Sequence, residues 1–452
     1  MEYDVVIVGA GPAGIFSART LINAGVKDIL IIEKGDDIKE RVAQGKKRNI
    51  LSGWGGAGAF SDGKLTLSSE VGGFLSEKVQ QSRLEKLLKE VDSVYVQFGA
   101  PGKIYGEPNA ETEAIKREAK RHNLVFVEMP IRHVGTDNCP RILEGLREEI
   151  RRFADVRCKT SAREILVDNG CVYGVKTEAG EEIRARYVIV APGRYGAKWM
   201  DGEAERLHLS SVPSPVDIGV RVEVPAVVLE KLTSIAYETK FIYYTPTFDD
   251  KVRTFCMNPY GEVVVELTDD LMTVNGHSYE KRRTDNTNFA ILVSTTFTEP
   301  FDDPLGYGRY ISRLANLLGK GVIVQRLGDL LEGRRTTTER LARSVVRPTL
   351  ESATPGDLSF VFPYRHLTDI VEMIDALDKI APGIKSPHTL LYGVEVKFYS
   401  HRLKLSDCLE SEVKNLFVIG DGAGITRGLI QASVSGVIAG EEVAKRMIKE
   451  GK

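Results

Sequence analysis

The first 33 residues constrain this 452-residue chain most strongly. Residues 4–8 (DVVIV) are a short apolar run that reads as a buried strand and leads straight into Gly9, Gly11 and Gly14. Residues 13–24 then place apolar side chains at helical spacing, so the order is strand, tight turn, helix. A second apolar run at 29–32 ends on Glu33, nineteen positions beyond Gly14. That distance carries a carboxylate to a ribose hydroxyl when the helix N-terminus holds a pyrophosphate. Gly9 permits the turn, Gly11 lets the backbone approach the phosphates, and Gly14 lets the helix lie close to the sheet. Pro12 and Ala13 belong to the same phosphate-side turn, and Lys34 follows the acid. An acid at position 33 favours an unphosphorylated ribose, as in FAD or NAD, over NADP. The motif alone does not separate FAD from NAD.

Two later stretches return to the same kind of strand. Residues 187–191 (YVIVA) run into Pro192 and Gly193, and residues 415–419 (NLFVI) run into GDGAG at 420–424. A long, small-residue-rich helix follows from Gly428, Leu429 and Ile430; its Gly436 and Gly440 share a face suited to close packing against a sheet. Ala191, Gly193, Gly420 and Asp421 are therefore expected beside the cofactor. Between residues 50 and 73 lie seven glycines without periodicity. Such density suits a loop folded tightly against a ligand, with Gly55, Gly56, Gly58, Ser61, Asp62 and Lys64 as its contact residues, although a flexible surface loop has the same composition.

These returns imply an α/β fold with a discontinuous Rossmann-like domain assembled from 1–75, 125–210 and 395–452, with a helical excursion at 76–124. Residues 211–394 have a different texture. Strand-like runs at 214–224, 240–245, 252–257, 263–266 and 289–295 precede helical stripes at 307–318 and 370–380. A mixed β-sheet with covering helices, inserted into a nucleotide-binding fold, is the form of a substrate domain.

Composition removes several classes of function. Lys and Arg number 61 against 63 Asp and Glu, which gives no bulk signature of a nucleic-acid binder. Five scattered cysteines contain no C-x-x-C, against a disulfide framework, a zinc site or an iron–sulfur cluster. No metal-ligand spacing such as H-E-x-x-H appears, and no apolar run reaches membrane-spanning length. The expectation is a cytoplasmic protein acting on a small molecule, with neither membrane nor nucleic acid as partner and with its oligomeric state open.

Together, the motif at 9–14 with Glu33, YVIVAPG at 187–193 and VIGDGAG at 418–424 resemble the FAD contacts of the glutathione-reductase-like flavoprotein superfamily. GGAGAFSDGKL at 55–65, CMNPYGEVV at 256–264, NGHSY at 275–279 and GVEVKFYSHR at 393–402 resemble a narrower family of uncharacterised FAD-dependent dehydrogenases related to the BaiN-like flavoproteins. The resemblance implies that Gly9, Gly11 and Gly14 hold the FAD pyrophosphate, Glu33 the adenosine ribose, and Asp421 a ribityl or phosphate-side hydroxyl. It also implies that the helix start at 427–432 points its positive end at the flavin. Some relatives carry a second cysteine where this chain has Asn258, so the resemblance does not extend to a dithiol.

Candidates for the chemistry are fewer. Cys256 lies in an apolar strand and is a possible nucleophile or a small core residue. His277, with Tyr279, sits in a polar Asn-Gly loop and is a proton donor or a solvated loop residue. Tyr399 and His401 directly precede the chain's return to the nucleotide sheet. The implied activity is an FAD-dependent oxidoreductase moving a hydride to or from an organic substrate, with NAD(P)H as a possible transient donor because no second complete fingerprint is present. Reduction of an isoprenoid or other alkene, and a flavoprotein role in tRNA modification, are the alternatives.

Overall fold

The computed structural model describes residues 2–44, 51–61, 63–135, 137–212, 215–268, 271–278, 283–295, 303–397 and 402–451. The chain divides into two compact units: Met1–Lys103, Arg132–Pro213 and Ser400–Lys452 form the first, Ile104–Ile131 and Ser214–Tyr399 the second.

The first unit is built on a sheet in the order Asp155–Arg157, Ile29–Ile32, Glu2–Val8, Glu182–Val190, Cys171–Thr177, Ala162–Asp168, with Leu416–Val418 also pairing to Glu182–Val190. Its centre is parallel: Glu2–Val8 pairs in parallel with both Ile29–Ile32 and Glu182–Val190, and Leu416–Val418 pairs in parallel with the latter. Val5, Val6, Ile7, Leu30, Ile31, Val188, Ile189 and Phe417 are buried, which is why these strands read as unbroken apolar runs. The antiparallel strands at 162–190 form a meander that turns at Asn169-Gly170 and at Gly180.

Helix Pro12–Asn23 follows the first strand and is packed by helix Leu429–Lys449. A Cβ at Gly436 would lie 2.1 Å from the Ala13 carbonyl oxygen, and one at Gly440 would lie 2.9 Å from Thr20 Cβ. The close approach expected of these two glycines is thus made against a helix, not against the sheet. Helix Gln81–Gln97 buries Leu84, Leu87, Leu88 and Val91 in the same core, where Tyr95 stacks on Phe16 at 5.3 Å.

The second unit takes the remainder of the stretch expected as a helical excursion. Asn109 caps helix Ala110–Arg121 by accepting from the Glu111 and Thr112 amides at 2.8 and 2.9 Å, and Thr112 Oγ1 accepts from the Asn109 amide in return. Strand Leu124–Val127 pairs with Lys240–Tyr244, so residues 125–131 fall in the second unit and not with the nucleotide sheet. The cause is Phe126, which meets Phe241 at 5.5 Å within the second core, an anchor that a run of four apolar residues does not reveal.

The large sheet of this unit runs Thr354–Pro355, Ile323–Arg326, Leu390–Lys397, Val216–Pro225, Asn286–Thr295, Lys251–Asn258, Lys240–Tyr244, Leu124–Val127. Val216, Ile218, Val220, Val222 and Val224 project from one face into a core shared with helices Ala226–Ile235 and Tyr364–Asp378. By strand alternation Asp217, Arg221 and Glu223 project from the other face. A two-stranded hairpin, Glu262–Thr268 with Leu271–His277, completes the sheet structure.

Candidate functional site

The nucleotide motif folds as its spacing requires. Gly9 has φ +102°, and a Cβ there would stand 2.2 Å from the Ala191 carbonyl oxygen, so the turn presses directly against the end of strand Glu182–Val190. The Ala191 amide donates to Val8 O at 2.7 Å. Helix Pro12–Asn23 starts after Gly11 without a side-chain cap, and no atom lies within 4 Å of where a Gly11 Cβ would be. An uncapped helix start with room beside it is what an anion site needs.

Glu33 ends the second strand and is almost fully buried. Its Oε2 accepts from the Ala10 amide at 2.8 Å, and its Oε1 accepts from the Gly35 and Gly53 amides at 2.9 and 2.8 Å. Three backbone donors fix the carboxylate and leave Oε2 one further acceptor direction, enough for a ribose hydroxyl. Lys34 lies over the Tyr195 ring at 4.7 Å.

The glycine-rich loop closes onto this turn. Gly55 N donates to Ala10 O at 2.7 Å, and the buried Arg41 clamps the loop by donating to Trp54 O at 2.6 Å and Gly56 O at 3.0 Å. A Cβ on Gly56 would lie 3.2 Å from Gly11 Cα, and one on Gly58 would lie 2.7 Å from Leu429 Cδ2 and 3.4 Å from Pro12 Cγ. Ser61 is turned back onto Gly58 O at 3.1 Å, and Asp62 lies outside the described residues.

Gly420 donates its N–H to Ser435 Oγ at 3.0 Å, and its Cβ position is 3.1 Å from Ala13 Cβ. Asp421 accepts from Thr426 Oγ1 at 2.8 Å; burial pushes its carboxyl up, against the pull of Arg194 and of that hydrogen bond. Helix Leu429–Lys449 begins after Gly428 without a side-chain cap, and Gly193 and Gly428 both have open space on their Cβ side. The first unit thus brings together Gly9, Gly11, Pro12, Ala13, Gly14, Glu33, Gly55, Gly56, Gly58, Ala191, Gly420, Leu429 and the buried Ile430. Two uncapped helix starts, a fixed carboxylate and flanking glycines fit a dinucleotide of the FAD type.

The second unit carries a charged site on the sheet face turned away from its helices. Arg221 and Glu395 are both fully buried and form a two-pronged pair, Nε to Oε2 and Nη2 to Oε1, each at 2.7 Å. Lys397 reaches Glu395 at 3.1 Å and Glu266 at 3.8 Å. Burial works against the charge on Arg221, but the facing Glu395 raises its affinity for the proton. Burial likewise opposes ionisation of Glu395, which Arg221 and Lys397 nevertheless hold below the usual carboxylate range. Arg221 Nη1 also donates to Asn288 Oδ1 at 2.9 Å and to Cys256 O at 3.0 Å. A Cβ on Gly276 would stand 2.1 to 2.4 Å from Asn288 Oδ1, Arg221 Nη1 and Asn258 Nδ2, so only glycine lets the hairpin close here. Further along the face, Glu223 accepts from Tyr392 Oη and Thr349 Oγ1, both at 2.5 Å.

Cys256 sits at the edge of this cluster with φ +45°. Its N–H donates to Glu238 Oε1 at 3.0 Å, and its carbonyl accepts from Arg221 and from Asn258 Nδ2. His277 ends the hairpin strand opposite Glu262 and is exposed. Tyr399 and His401 lie outside the described residues, as does Tyr279. Sequence reasoning missed Asp217, Arg221, Glu223, Lys240, Arg253, Glu395 and Lys397. The signal was present in VDIGVRVEV and VEVK, where charged residues alternate with β-branched ones inside strands. Elsewhere in this unit Arg334 pairs with Asp329 at 3.0 Å and Arg365 with Asp250 at 2.7 Å.

The chain matches a family model described as FAD dependent oxidoreductase over residues 4–292, and one described as FAD-dependent protein, C-terminal domain-like, over 215–398. It is 29% identical to an uncharacterized protein of Clostridium beijerinckii, covering 98% of this chain and 80% of that protein. It is 25% identical to the glycine oxidase of Pseudomonas aeruginosa, over 44% of this chain and 57% of that enzyme. Among solved structures, formate oxidase of Aspergillus oryzae aligns at 12% identity and TM-score 0.47, covering 99% of each chain.

Proposed function

From the premise that the chain belongs to the FAD-dependent oxidoreductase family, an enzyme family whose cofactor is FAD, we propose that it moves a hydride between FAD and a polar organic molecule handled by the second unit. Within the family we place it with the uncharacterised FAD-dependent dehydrogenases related to the BaiN-like flavoproteins; the match of residues 215–398 to a C-terminal domain of FAD-dependent proteins supports that placement. One observation carries the cofactor assignment. The glycine-rich loop, the 9–14 turn and the start of helix Leu429–Lys449 converge within van der Waals distance beside the fixed Glu33 carboxylate. In this reading Glu33 receives the adenosine ribose, the amides of Gly11, Ala13 and Gly14 receive the pyrophosphate, and Asp421 receives a hydroxyl of the linker. The helix start at Gly428 faces the ring, where its dipole favours negative charge.

Bound FAD supplies a two-electron donor and acceptor. The protein's own contribution is orientation and proton handling. The fully buried Arg221–Glu395 pair, bonded to Asn288 and Asn275, braces the charged face, and a polar group of the substrate is proposed to meet the edge of that face at the partly exposed Lys397. NAD(P)H as a transient donor remains part of the proposal, supported by the single complete fingerprint. A cytosolic setting is also proposed, from five scattered cysteines that contain no C-x-x-C. The alkene-reductase alternative draws little support from the apolar core of the second unit, where the cavity lined by Leu229, Leu232, Phe241 and Phe289 has a volume of only ≈ 10 Å³.

The test is anaerobic absorbance of the purified holoprotein against NADH, NADPH and a panel of amines, amino acids and hydroxy acids. Bleaching of the oxidised flavin bands by at least one compound is expected. A protein purified without flavin, or a flavin that none of them reduces or reoxidises, would remove the proposal.

A further inference from the structure

Arg41 stands on the short helix Ile38–Gln44 and is buried against the glycine-rich loop of the first unit. Its Nη1 donates to both Trp54 O and Gly56 O, and its guanidinium lies 5.0 Å from the centre of the Phe60 ring. Gly53 makes room for it, since a Cβ there would stand 2.5 Å from Arg41 Cδ and 2.8 Å from Arg41 Nε. Trp54 is fixed in turn, with Nε1 donating to Leu143 O at 2.8 Å and Arg147 over its ring at 5.0 Å. One planar cation thus meets two carbonyls and a ring face, an arrangement that a lysine ammonium does not reproduce.

The peptide between Gly56 and Ala57 is trans, so its N–H points opposite to its C=O. With the Gly56 carbonyl drawn to Arg41, the Ala57 amide is turned to the far side. Gly56 also borders the nucleotide turn: its Cβ position is 3.2 Å from Gly11 Cα and 4.0 Å from Pro12 Cδ, while nothing lies within 4 Å of a Cβ on Gly11. Neither the turn at 9–14 nor the loop at 53–60 contains a lysine or arginine of its own. A diphosphate at this turn brings negative charge close to the acid Glu33. Arg41 is the buried cation built into the loop beside it; burial opposes its charge, and nearby Glu33 and Asp36 sustain it.

We propose that Arg41 is a positioning residue for the diphosphate of FAD, which aims the Ala57 N–H at that group and offsets its charge from behind the loop. The proposal rests on the placement of the pyrophosphate at the 9–14 turn given above, and it concerns the first unit alone. Glu33 and the turn recognise the ribose and the phosphates directly, whereas Arg41 acts through the peptides that it holds.

The experiment uses full-length apoprotein of wild type, Arg41→Lys and Arg41→Ala, each checked by far-UV circular dichroism. FAD is titrated by flavin fluorescence, and ADP, which keeps the diphosphate and lacks the flavin, by competition against FAD. Arg41→Ala is expected to weaken both ligands by about 30-fold or more, and Arg41→Lys by about tenfold. Variants within roughly threefold of wild type, or a loss for FAD without one for ADP, overturn the proposal alone. Hydrogen exchange at saturating FAD separates positioning from a general loss of stability. Binding is expected to slow the amides of residues 55–60 by at least about tenfold in wild type and by less than about threefold in the variants. Wild-type amides that are not slowed, or variants protected as fully as wild type once saturated, overturn the proposal; the wild-type arm decides even where a variant does not fold. A wild type that binds no FAD, or in which ADP does not compete with FAD, shows that the placement of the cofactor at the turn has failed, and overturns the proposal with it.

Discussion

Arg221 and Glu395 put opposite full charges where neither side chain is exposed. Their mutual hydrogen bonds offset the desolvation of each, so removing one partner leaves the other buried and uncompensated. Arg221→Met is expected to lower stability by about 3–5 kcal/mol, and Arg221→Met with Glu395→Leu to recover most of it. Urea unfolding of Arg221→Met, Glu395→Leu and the double variant checks this, and additive losses would show that the pair is not coupled. His366 and Asp369 carry a pH dependence of opposing signs. Burial lowers the His366 pKa from 6.5 to about 4, so its contribution is present above pH 6.5 and is lost as pH falls through 4. That swing is worth about 3 kcal/mol. Burial raises the Asp369 carboxyl from 3.8 to about 6, so its contribution is present below pH 3.8 and is lost as pH rises through 6. Relative to wild type, His366→Asn should therefore gain stability as pH falls from 6.5 towards 4, and Asp369→Asn should lose it. Thermal melts across that range decide, and parallel curves for the two variants would contradict the assignment.

At the scale of elements, the pairing of helices Pro12–Asn23 and Leu429–Lys449 depends on Gly436, whose missing side chain admits the Ala13 carbonyl. Gly436→Val is expected to cost about 1–3 kcal/mol. It should also weaken flavin retention, because the same helix begins at Gly428 beside the cradle. A melt combined with flavin release measures both, and a variant of unchanged stability and retention would contradict the packing argument. The strand, turn and helix at 2–23 were legible because apolar run, glycine spacing and acid agree over a short distance. The sheet that strand Leu124–Val127 joins was not, since its partner Lys240–Tyr244 is more than a hundred residues away and nothing local names it. The charged sheet face was half legible. The strands holding Asp217, Arg221 and Glu395 could be read from their β-branched residues, but alternating charges read equally well as a solvated face until burial is known. For Glu33 the spacing pointed to a ribose, whereas the three amides that fix it come from Ala10, Gly35 and Gly53, a convergence that only the folded loop creates.

At the scale of the whole molecule, the function proposed above assigns FAD to the first unit and the substrate to the second. The first part of that account has the more direct test, because the adenosine end of the cofactor is assigned to named groups: the turn at Gly9 and the carboxylate of Glu33. Apoprotein is titrated with FAD and with FMN, which lacks the adenosine half, and flavin fluorescence is followed for wild type and for Gly9→Ala, whose added Cβ would meet the Ala191 carbonyl at 2.2 Å. Wild type should bind FAD at least about 100-fold more tightly than FMN, a difference of about 2.7 kcal/mol, and Gly9→Ala should lose that preference. Equal affinity for the two flavins, or a Gly9→Ala variant that still prefers FAD as strongly as wild type, would contradict the account.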